Sequence, residues 1–206
     1  MRALIFSGGT FTGLPDDLSW EEFDCIIAAD KGYLYAQSLG ITPHIFVGDR
    51  DSLPEHQAIS ADETILLTPI KDMTDTQEAI DIAISRGATE ITIVAALGGR
   101  VDHALANLHL LKFGKDRGAS VSLEDKNSFV TLIDSPGRFP RKEGFCISLL
   151  PLTRCEHLSV SGVFYPLTDA VMDVGLPYGV SNEFTAPFAE VDPGTGELFV
   201  IICKSV

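Results

Sequence analysis

The first 125 residues alternate short apolar runs with segments of helical periodicity. Each apolar run is nearly continuous, which is typical of strands in a sheet that is covered on both faces. The predicted strands are 3–6, 24–29, 44–47, 64–68, 90–95 and 119–123. Strands that alternate with helices predict an α/β domain with a mostly parallel sheet.

The segments between these strands carry helix signals. The predicted helices are 31–39, 74–86 and 101–117, and each stops before a glycine. The second begins with a capping box, Thr74-x-x-Gln77. The third has apolar residues at helical spacing, namely Val101, Leu105, Leu108 and Leu111.

The pattern changes after residue 125. Further apolar runs follow, separated by turn signals such as Ser135-Pro136-Gly137, and no helical pattern of ten or more residues lies between them. These strands are predicted at 129–133, 145–150, 157–163, 170–174 and 198–203. The sequence therefore predicts a mostly parallel α/β domain over 1–125 and a smaller all-β sandwich domain over 126–206.

Glycine and aspartate follow the predicted parallel strands. In an open parallel sheet, ligands bind at the edge formed by the carboxyl ends of the strands, here called the rim. The aspartates expected at the rim are Asp30, Asp49, Asp51, Asp72, Asp75 and Asp102. Like charges repel unless a cation holds them, so the cluster indicates a metal site. Oxygen ligands without paired Cys or His favour Mg²⁺, which commonly binds together with substrate phosphates.

Two local features of the rim bear on how it binds metal and phosphate. Asp49 and Asp51, two residues apart, can face one metal if the chain is extended there. Arg100 stands between a glycine pair and an aspartate, where a guanidinium can bind a phosphate. Weaker candidates for phosphate binding are Lys31, Arg50 and Lys71. The chain has no Walker A or G-x-G-x-x-G motif, which disfavours the usual P-loop and dinucleotide folds.

Composition narrows the function classes further. The formal net charge is −14, from 15 Lys+Arg against 29 Asp+Glu, which disfavours nucleic acid and anionic membrane surfaces as partners. No segment resembles a targeting signal or approaches the ~20 apolar residues of a transmembrane helix, so we expect a cytoplasmic protein. The cysteines form no C-x-x-C pair, which favours buried reduced thiols over metal or disulfide roles. They are Cys25, Cys146, Cys155 and Cys203.

Taken together, the motifs resemble the thiamine pyrophosphokinase family. The matching blocks are 29–32, 43–52, 71–76, 98–107, 161–167 and 181–183. The resemblance implies an N-terminal catalytic domain that binds ATP and Mg²⁺ and a C-terminal domain that binds thiamine. It also implies a homodimer with active sites between subunits. The family reaction transfers the pyrophosphoryl group of ATP to the thiamine hydroxyl and gives thiamine diphosphate and AMP.

The resemblance also implies roles for single residues. The implied metal ligands are Asp49, Asp51, Asp75 and Asp102, and Arg100 joins them as a catalytic residue. The implied ATP or thiamine contacts are Asp30, Lys31, Asp72, Asn107, Ser181 and Asn182, the last two on thiamine. Two positions depart from the family pattern: Lys31 replaces a glycine, and Gln77 replaces an acidic residue. The sequence allows two roles for Tyr165, packing in the hydrophobic core and stacking on thiamine.

Two other functions remain open from the residues alone. The clustered aspartates and the pair Asp102-His103 are also compatible with a metal-dependent phosphohydrolase, because such groups with a bound metal activate water. The remaining histidines, His44, His56, His109 and His157, lie outside the aspartate motifs, which weakens this hypothesis. A non-catalytic nucleotide-binding module is the second alternative.

Overall fold

The computed structural model of the chain describes residues 1–68 and 72–205. Lys71, one of the weaker phosphate-binding candidates, lies outside the described residues. The chain divides into two compact units, Met1–Lys126 and Asn127–Val206. The first contains helices and strands, whereas the described residues of the second form strands and no helix. The predicted α/β class is confirmed.

Parallel strands build the sheet of the first unit. They are β1 (Arg2–Phe6), β2 (Cys25–Ala29), β3 (Ile45–Gly48), β4 (Glu63–Leu66), β5 (Glu90–Val94) and β6 (Ser120–Asp125). Their order is β6-β5-β1-β2-β3-β4, with parallel pairing throughout. Every strand predicted in this region coincides with one of them. Burial on both faces is correct for β2 but wrong for β4, which alternates half-buried and exposed residues because it pairs only with β3.

Helices connect these strands as predicted. They are α1 (Gly32–Ser38), α2 (Asp75–Ser85) and α3 (Val101–Lys115), with a short 3₁₀ helix at Trp20–Glu22. The predicted cap of α2 is confirmed, because the Thr74 hydroxyl accepts a hydrogen bond from the Gln77 N–H at 3.2 Å. No helix in the described parts of the chain is long and apolar enough to cross a membrane.

The apolar spacing of α3 does not identify its buried side. Val101 and Leu105 are 72% and 53% exposed; of the predicted stripe Leu111 is buried, and it lies on the buried side together with Leu110 and Gly114. A Cβ atom at position 114 would lie 2.2 Å from Val121 Cγ2 on β6. Because the missing side chain allows this close approach, the helix turns its glycine side, not its most apolar stripe, to the sheet.

The second unit consists of antiparallel strands. They are β7 (Ser128–Ile133), β8 (Gly137–Pro140), β9 (Phe145–Pro151), β10 (Cys155–Ser161), β11 (Leu167–Met172), β12 (Asn182–Glu183), β13 (Phe188–Asp192) and β14 (Leu198–Lys204). One sheet has the order β12-β9-β14-β7 and the other β11-β10-β13-β8. Side chains of both sheets form one buried cluster, with Leu149 and Val200 from the first and Leu158 and Val191 from the second.

Three strands of this unit are not predicted by the sequence pattern. The strand β8 is short and ends in a proline, β12 has only two residues, and β13 alternates exposed and buried positions without an apolar run. The predicted strand 157–163 overlaps β10 but begins and ends two residues later than it, and the pairing of β10 with β11 shifts register around Leu158. His157 in that stretch has a left-handed φ of 63°, as expected at a β-bulge.

Candidate active site

A cavity of about 680 Å³ lies at the carboxyl ends of β1, β2, β3 and β5. The strand order reverses between β1 and β5, which is where open parallel sheets bind ligands. The cavity is lined by most of the residues singled out in the sequence of this unit, namely Asp30, Lys31, Asp49, Asp51, Asp75, Arg100, Asp102 and Asn107. Asp72 is described but does not line the cavity. Ser181 and Asn182 belong to the second unit.

Three carboxylates approach one another closely in this cavity. One oxygen each of Asp30, Asp49 and Asp51 lies within 4.8 Å of the others. We call these residues the aspartate triad. The described residues thus hold a group of oxygen ligands of the kind that Mg²⁺ prefers.

A turn, not an extended chain, brings Asp49 and Asp51 together. The Asp51 N–H donates a hydrogen bond to Asp49 Oδ1 at 3.1 Å, and Arg50 between them has a left-handed φ of 71°. The expectation of an extended segment is therefore wrong, although the two carboxylates do come together. The Arg50 guanidinium donates to the Gln57 carbonyl at 2.9 Å, which holds it as part of this loop.

Asp30 is the buried member of the aspartate triad. It directly follows β2 in a left-handed conformation, with φ 47°, and is only 8% exposed. Its Oδ1 atom has no hydrogen-bond partner among the described residues. A buried carboxylate oxygen without a partner is costly, and a bound cation would satisfy it. The aspartate triad therefore fits a divalent metal.

Burial also changes the charge behaviour of Asp30. Desolvation raises the pKa of its carboxyl group above the ordinary value. Hydrogen bonds from Ser52 and from the Lys31 N–H lower this pKa, and the carboxylates of Asp75 and Asp51 raise it again. The carboxylates of Asp75 and Asp51 therefore add to the electrostatic cost of ionising Asp30.

Replacing Asp30 by asparagine should stabilise the metal-free protein. The pKa of Asp30 is higher in the folded than in the unfolded protein. The stabilisation that its carboxyl group contributes is therefore fully present below the unfolded-state pKa, and it is lost as the pH rises through the folded-state pKa. At pH 7 we expect the variant to melt about 2–4 °C above wild type, roughly 1 kcal/mol. Thermal unfolding between pH 4 and pH 7 measures the difference, which should shrink toward pH 4.

Two additional measurements test this prediction. Mg²⁺ should raise the melting temperature of wild type more than that of Asp30→Asn, because a ligand stabilises only the state that binds it. The exposed Asp16 provides the matched control, Asp16→Asn, with no expected change. Equal Mg²⁺ responses in wild type and Asp30→Asn would contradict a metal at this carboxylate.

Asp75 is the first residue of α2, directly after the Thr74 cap. At this position a carboxylate also stabilises the helix dipole. The start of α2 is tied to the loop after β1, since the buried hydroxyls of Ser7 and Thr76 lie 2.7 Å apart. Asp75 lines the cavity but is not in the aspartate triad.

Arg100 and Asp102 form a bidentate ion pair at the start of α3. Arg100 Nε and Nη2 lie 3.1 and 2.6 Å from the two Asp102 carboxylate oxygens. The hydrogen bonds from Arg100 lower the pKa of Asp102 to about 2, so this carboxylate is ionised at neutral pH. Asp102 thus faces the guanidinium and is not in the aspartate triad.

Lys31 and Asn107 both line the cavity. The Lys31 ammonium lies 5.7 Å from the centre of the Tyr35 ring, whose hydroxyl donates to the Gly9 carbonyl at 2.7 Å. Asn107 is buried, and its Nδ2 donates to the Ala96 carbonyl at 2.8 Å. Asn107 therefore fastens α3 to the loop after β5.

The predicted thiamine contacts of the second unit lie beside Tyr165. The Asn182 amide accepts a hydrogen bond from the Tyr165 N–H at 3.0 Å and donates to the Tyr165 carbonyl at 2.9 Å. The Ser181 N–H donates to Ser148 Oγ at 2.9 Å. Tyr165 is 68% exposed and meets Phe164 edge to face, so its alternative place in the core is wrong.

Polar residues that the sequence did not single out individually also line the cavity. They are Ser7, Thr10, Ser52 and Thr76, and they are joined there by Thr74 of the capping box and by His103. Each follows a parallel strand or stands at the start of a helix, and that position is the signal by which they can be found.

Comparison with known proteins identifies the family. Residues 17–123 match the model described as "Thiamin pyrophosphokinase, catalytic domain", and residues 138–192 match "Thiamin pyrophosphokinase, vitamin B1 binding domain". The thiamine pyrophosphokinase of Bacillus subtilis (strain 168) is 29% identical over 188 residues, 87% of each chain.

Solved structures agree with this match. The crystal structure of the Bacillus subtilis thiamine pyrophosphokinase superposes with a TM-score of 0.88 at 26% identity, over 100% of both chains. A thiamin pyrophosphokinase family protein from Enterococcus faecalis gives a TM-score of 0.89 at 26% identity, again over 100% of both chains. The catalytic-domain model alone spans more than half of the chain, and the chain therefore belongs to the thiamine pyrophosphokinase family of enzymes.

Proposed function

We propose that the chain transfers the pyrophosphoryl group of ATP to the hydroxyl group of thiamine and releases AMP. The observation that carries this proposal is the aspartate triad, with its unpartnered buried oxygen, in one cavity with Arg100. Transfer of a phosphoryl group needs positioning and neutralisation of charge more than covalent help from the protein. A metal-binding acidic group beside a guanidinium meets both needs.

The residues that would hold Mg²⁺ are those of the aspartate triad. Carboxylates are the protein ligands that Mg²⁺ takes, and it fills its other positions with water and substrate phosphates. When bound, the ion would offset the charge of the polyphosphate. Asp75 and Asp102 as direct metal ligands stay predictions, since neither is in the aspartate triad.

Arg100 is proposed to bind the polyphosphate of ATP. Its planar guanidinium offers paired N–H donors that match phosphate oxygens. Asp102 holds the guanidinium through two hydrogen bonds and fixes its orientation, which makes Asp102 a positioning residue. Lys31, with its ammonium over Tyr35, supplies a second positive charge on the cavity wall.

The second unit is proposed to bind thiamine. Ser181 is exposed, and its left-handed backbone, with φ 58°, is held by Ser148. Tyr165 offers an exposed ring for stacking on a heteroaromatic ligand, and Asn182 positions it through two backbone hydrogen bonds.

The homodimer and the cytoplasmic location stay predictions.

One assay tests the proposed activity against its alternatives. Purified protein is incubated with Mg-ATP, with and without thiamine, and AMP and inorganic phosphate are measured. We expect AMP to form only with thiamine present. Phosphate release without thiamine would support the phosphohydrolase instead, and binding of ATP without any turnover would support the nucleotide-binding module.

Ser181→Ala should raise the KM for thiamine more than the KM for ATP. The substitution removes one hydroxyl and keeps the backbone, so we expect a loss of about 0.5–1.5 kcal/mol in thiamine binding, about a two- to thirteenfold change. Steady-state kinetics with each substrate varied in turn give the two values. Ser135→Ala, at an exposed serine of the same unit, is the control. A larger rise in the KM for ATP would overturn the proposed role of the second unit.

A further inference from the structure

Two of the four free cysteines face each other across neighbouring strands. Cys146 on β9 pairs directly with Cys203 on β14, and their sulfur atoms lie 3.7 Å apart. Directly opposed residues of antiparallel strands have Cα atoms about 4.5–5.5 Å apart, inside the range of about 4.4–6.8 Å that a disulfide spans. The backbone therefore already has the separation that a disulfide requires.

The pair lies beside the strand that carries the proposed thiamine contacts. On its other side, β9 pairs with β12, where Glu183 faces Cys146 and Asn182 faces Ile147. Side chains alternate along a strand, so Cys146 and Ser148 share one face of the sheet. Ser148 is the residue whose hydroxyl holds the Ser181 backbone.

We propose that Cys146 and Cys203 form a reversible disulfide that weakens thiamine binding. Bond formation must bring the sulfur atoms from 3.7 Å to about 2.05 Å. The shift acts on β9 at the residues that hold β12 and Ser181. The effect on thiamine rests on the proposed function, whereas formation of the bond does not.

The oxidant is a small hydroperoxide, and hydrogen peroxide is the probe. The Cys203 thiolate attacks one peroxide oxygen, the O–O bond breaks, and a sulfenic acid forms with release of hydroxide. The Cys146 sulfur then attacks the Cys203 sulfur, the S–O bond breaks, and the thiol proton leaves with the hydroxide as water. Two thiols lose two electrons, and one peroxide is reduced to two waters.

The surroundings of the pair determine which thiol reacts first and how fast. Cys203 is half-buried and Cys146 is buried, so peroxide reaches Cys203 first. Burial raises the pKa of Cys203, and hydrogen bonding to Cys146 raises it further. Since the thiolate is the reacting form, oxidation should be faster at pH 9 than at pH 7. Cys155 is fully buried, with its thiol turned to the Thr153 and Glu197 carbonyls.

The test oxidises the whole protein and maps the bond. After peroxide treatment, thiols titrated in denaturant should fall from four to two and return to four with dithiothreitol. No Lys or Arg separates Cys155 from Cys203, so trypsin leaves both on one peptide. Chymotrypsin cuts between them, and the linked peptides should contain Cys146 and Cys203.

Thiamine binding is then compared before and after oxidation. We expect the Kd for thiamine by calorimetry, and the KM in turnover, to rise by about threefold or more on oxidation. The KM for ATP should change less than twofold. In Cys203→Ser, peroxide should change neither quantity, and Cys25→Ala should still form the bond and respond as wild type does.

Several results would overturn the proposal. Four titratable thiols after treatment, or a bond that joins Cys203 to another chain, would exclude the internal disulfide. A mapped internal bond with unchanged Kd for thiamine would exclude its effect on binding. If the reduced protein binds no thiamine, the proposed function fails, while peptide mapping still decides whether the bond forms.

Discussion

Asp51→Asn is expected to abolish most turnover, with kcat lowered by about 10³-fold, while the fold stays intact. Asp51 is an exposed member of the aspartate triad, and its carboxylate accepts one hydrogen bond, from the Ser52 hydroxyl at 3.0 Å. An amide binds Mg²⁺ far more weakly than a carboxylate. The loss therefore falls on charge neutralisation in the transition state and not on packing.

The measurement is thiamine-dependent AMP formation across a range of Mg²⁺ concentrations. Removing one of several close negative charges should leave the free energy of unfolding unchanged or slightly raised, as urea denaturation would show. Asp16→Asn should retain wild-type kinetics. Full activity of Asp51→Asn at limiting Mg²⁺ would show that the metal does not bind at the aspartate triad.

Arg100→Ala should lower kcat by about 10²-fold, and Arg100→Lys should lie between it and wild type. Lysine keeps the positive charge but has no planar fork of N–H donors, so it recovers only part of the phosphate binding. The control is Arg117→Ala, since Arg117 pairs with Asp81 and does not line the cavity. Equal rates in wild type and Arg100→Ala would remove Arg100 from the mechanism.

A double variant separates the two roles open to Asp102. If Asp102 acts by orienting Arg100, then Arg100→Ala with Asp102→Asn costs no more than Arg100→Ala alone. If Asp102 binds the metal, as the family resemblance implies, the two losses add. Single-turnover rates of the four proteins decide between a positioning residue and a metal ligand.

The family and its enzyme class could be predicted from the sequence because the motifs follow the strands of a parallel sheet. The turns after β2, β3 and β5 carry Asp30, Asp49 and Arg100, and a parallel sheet places all such turns at one edge. The start of α2 could also be predicted from the sequence, since a capping box depends on residues only three positions apart.

The details of the site depend on three-dimensional packing and could not be read in the same way. The burial of Asp30 and its unpartnered oxygen follow from strands that are distant in sequence. The left-handed conformation at Arg50 is not predicted by the sequence, because the residue there is not a glycine. The sequence therefore indicates a metal site at the rim, but it does not show which of the rim aspartates come within reach of one ion.

The pairing of Cys146 with Cys203 is a further case of this limit. The two residues are far apart in the chain, and only the register of β14 against β9 makes them neighbours. Spacing alone favours buried reduced thiols over metal or disulfide roles, because no C-x-x-C motif connects the cysteines.

Gly32, at the start of α1, places the first turn of that helix directly against β1. A Cβ atom at this position would lie 1.9 Å from the Phe6 carbonyl oxygen. Any other residue would push α1 away from the sheet and displace its neighbours Asp30 and Lys31. For protein engineering, libraries that alter substrate choice should hold position 32 as glycine and vary exposed side chains beside Ser181, such as Tyr165.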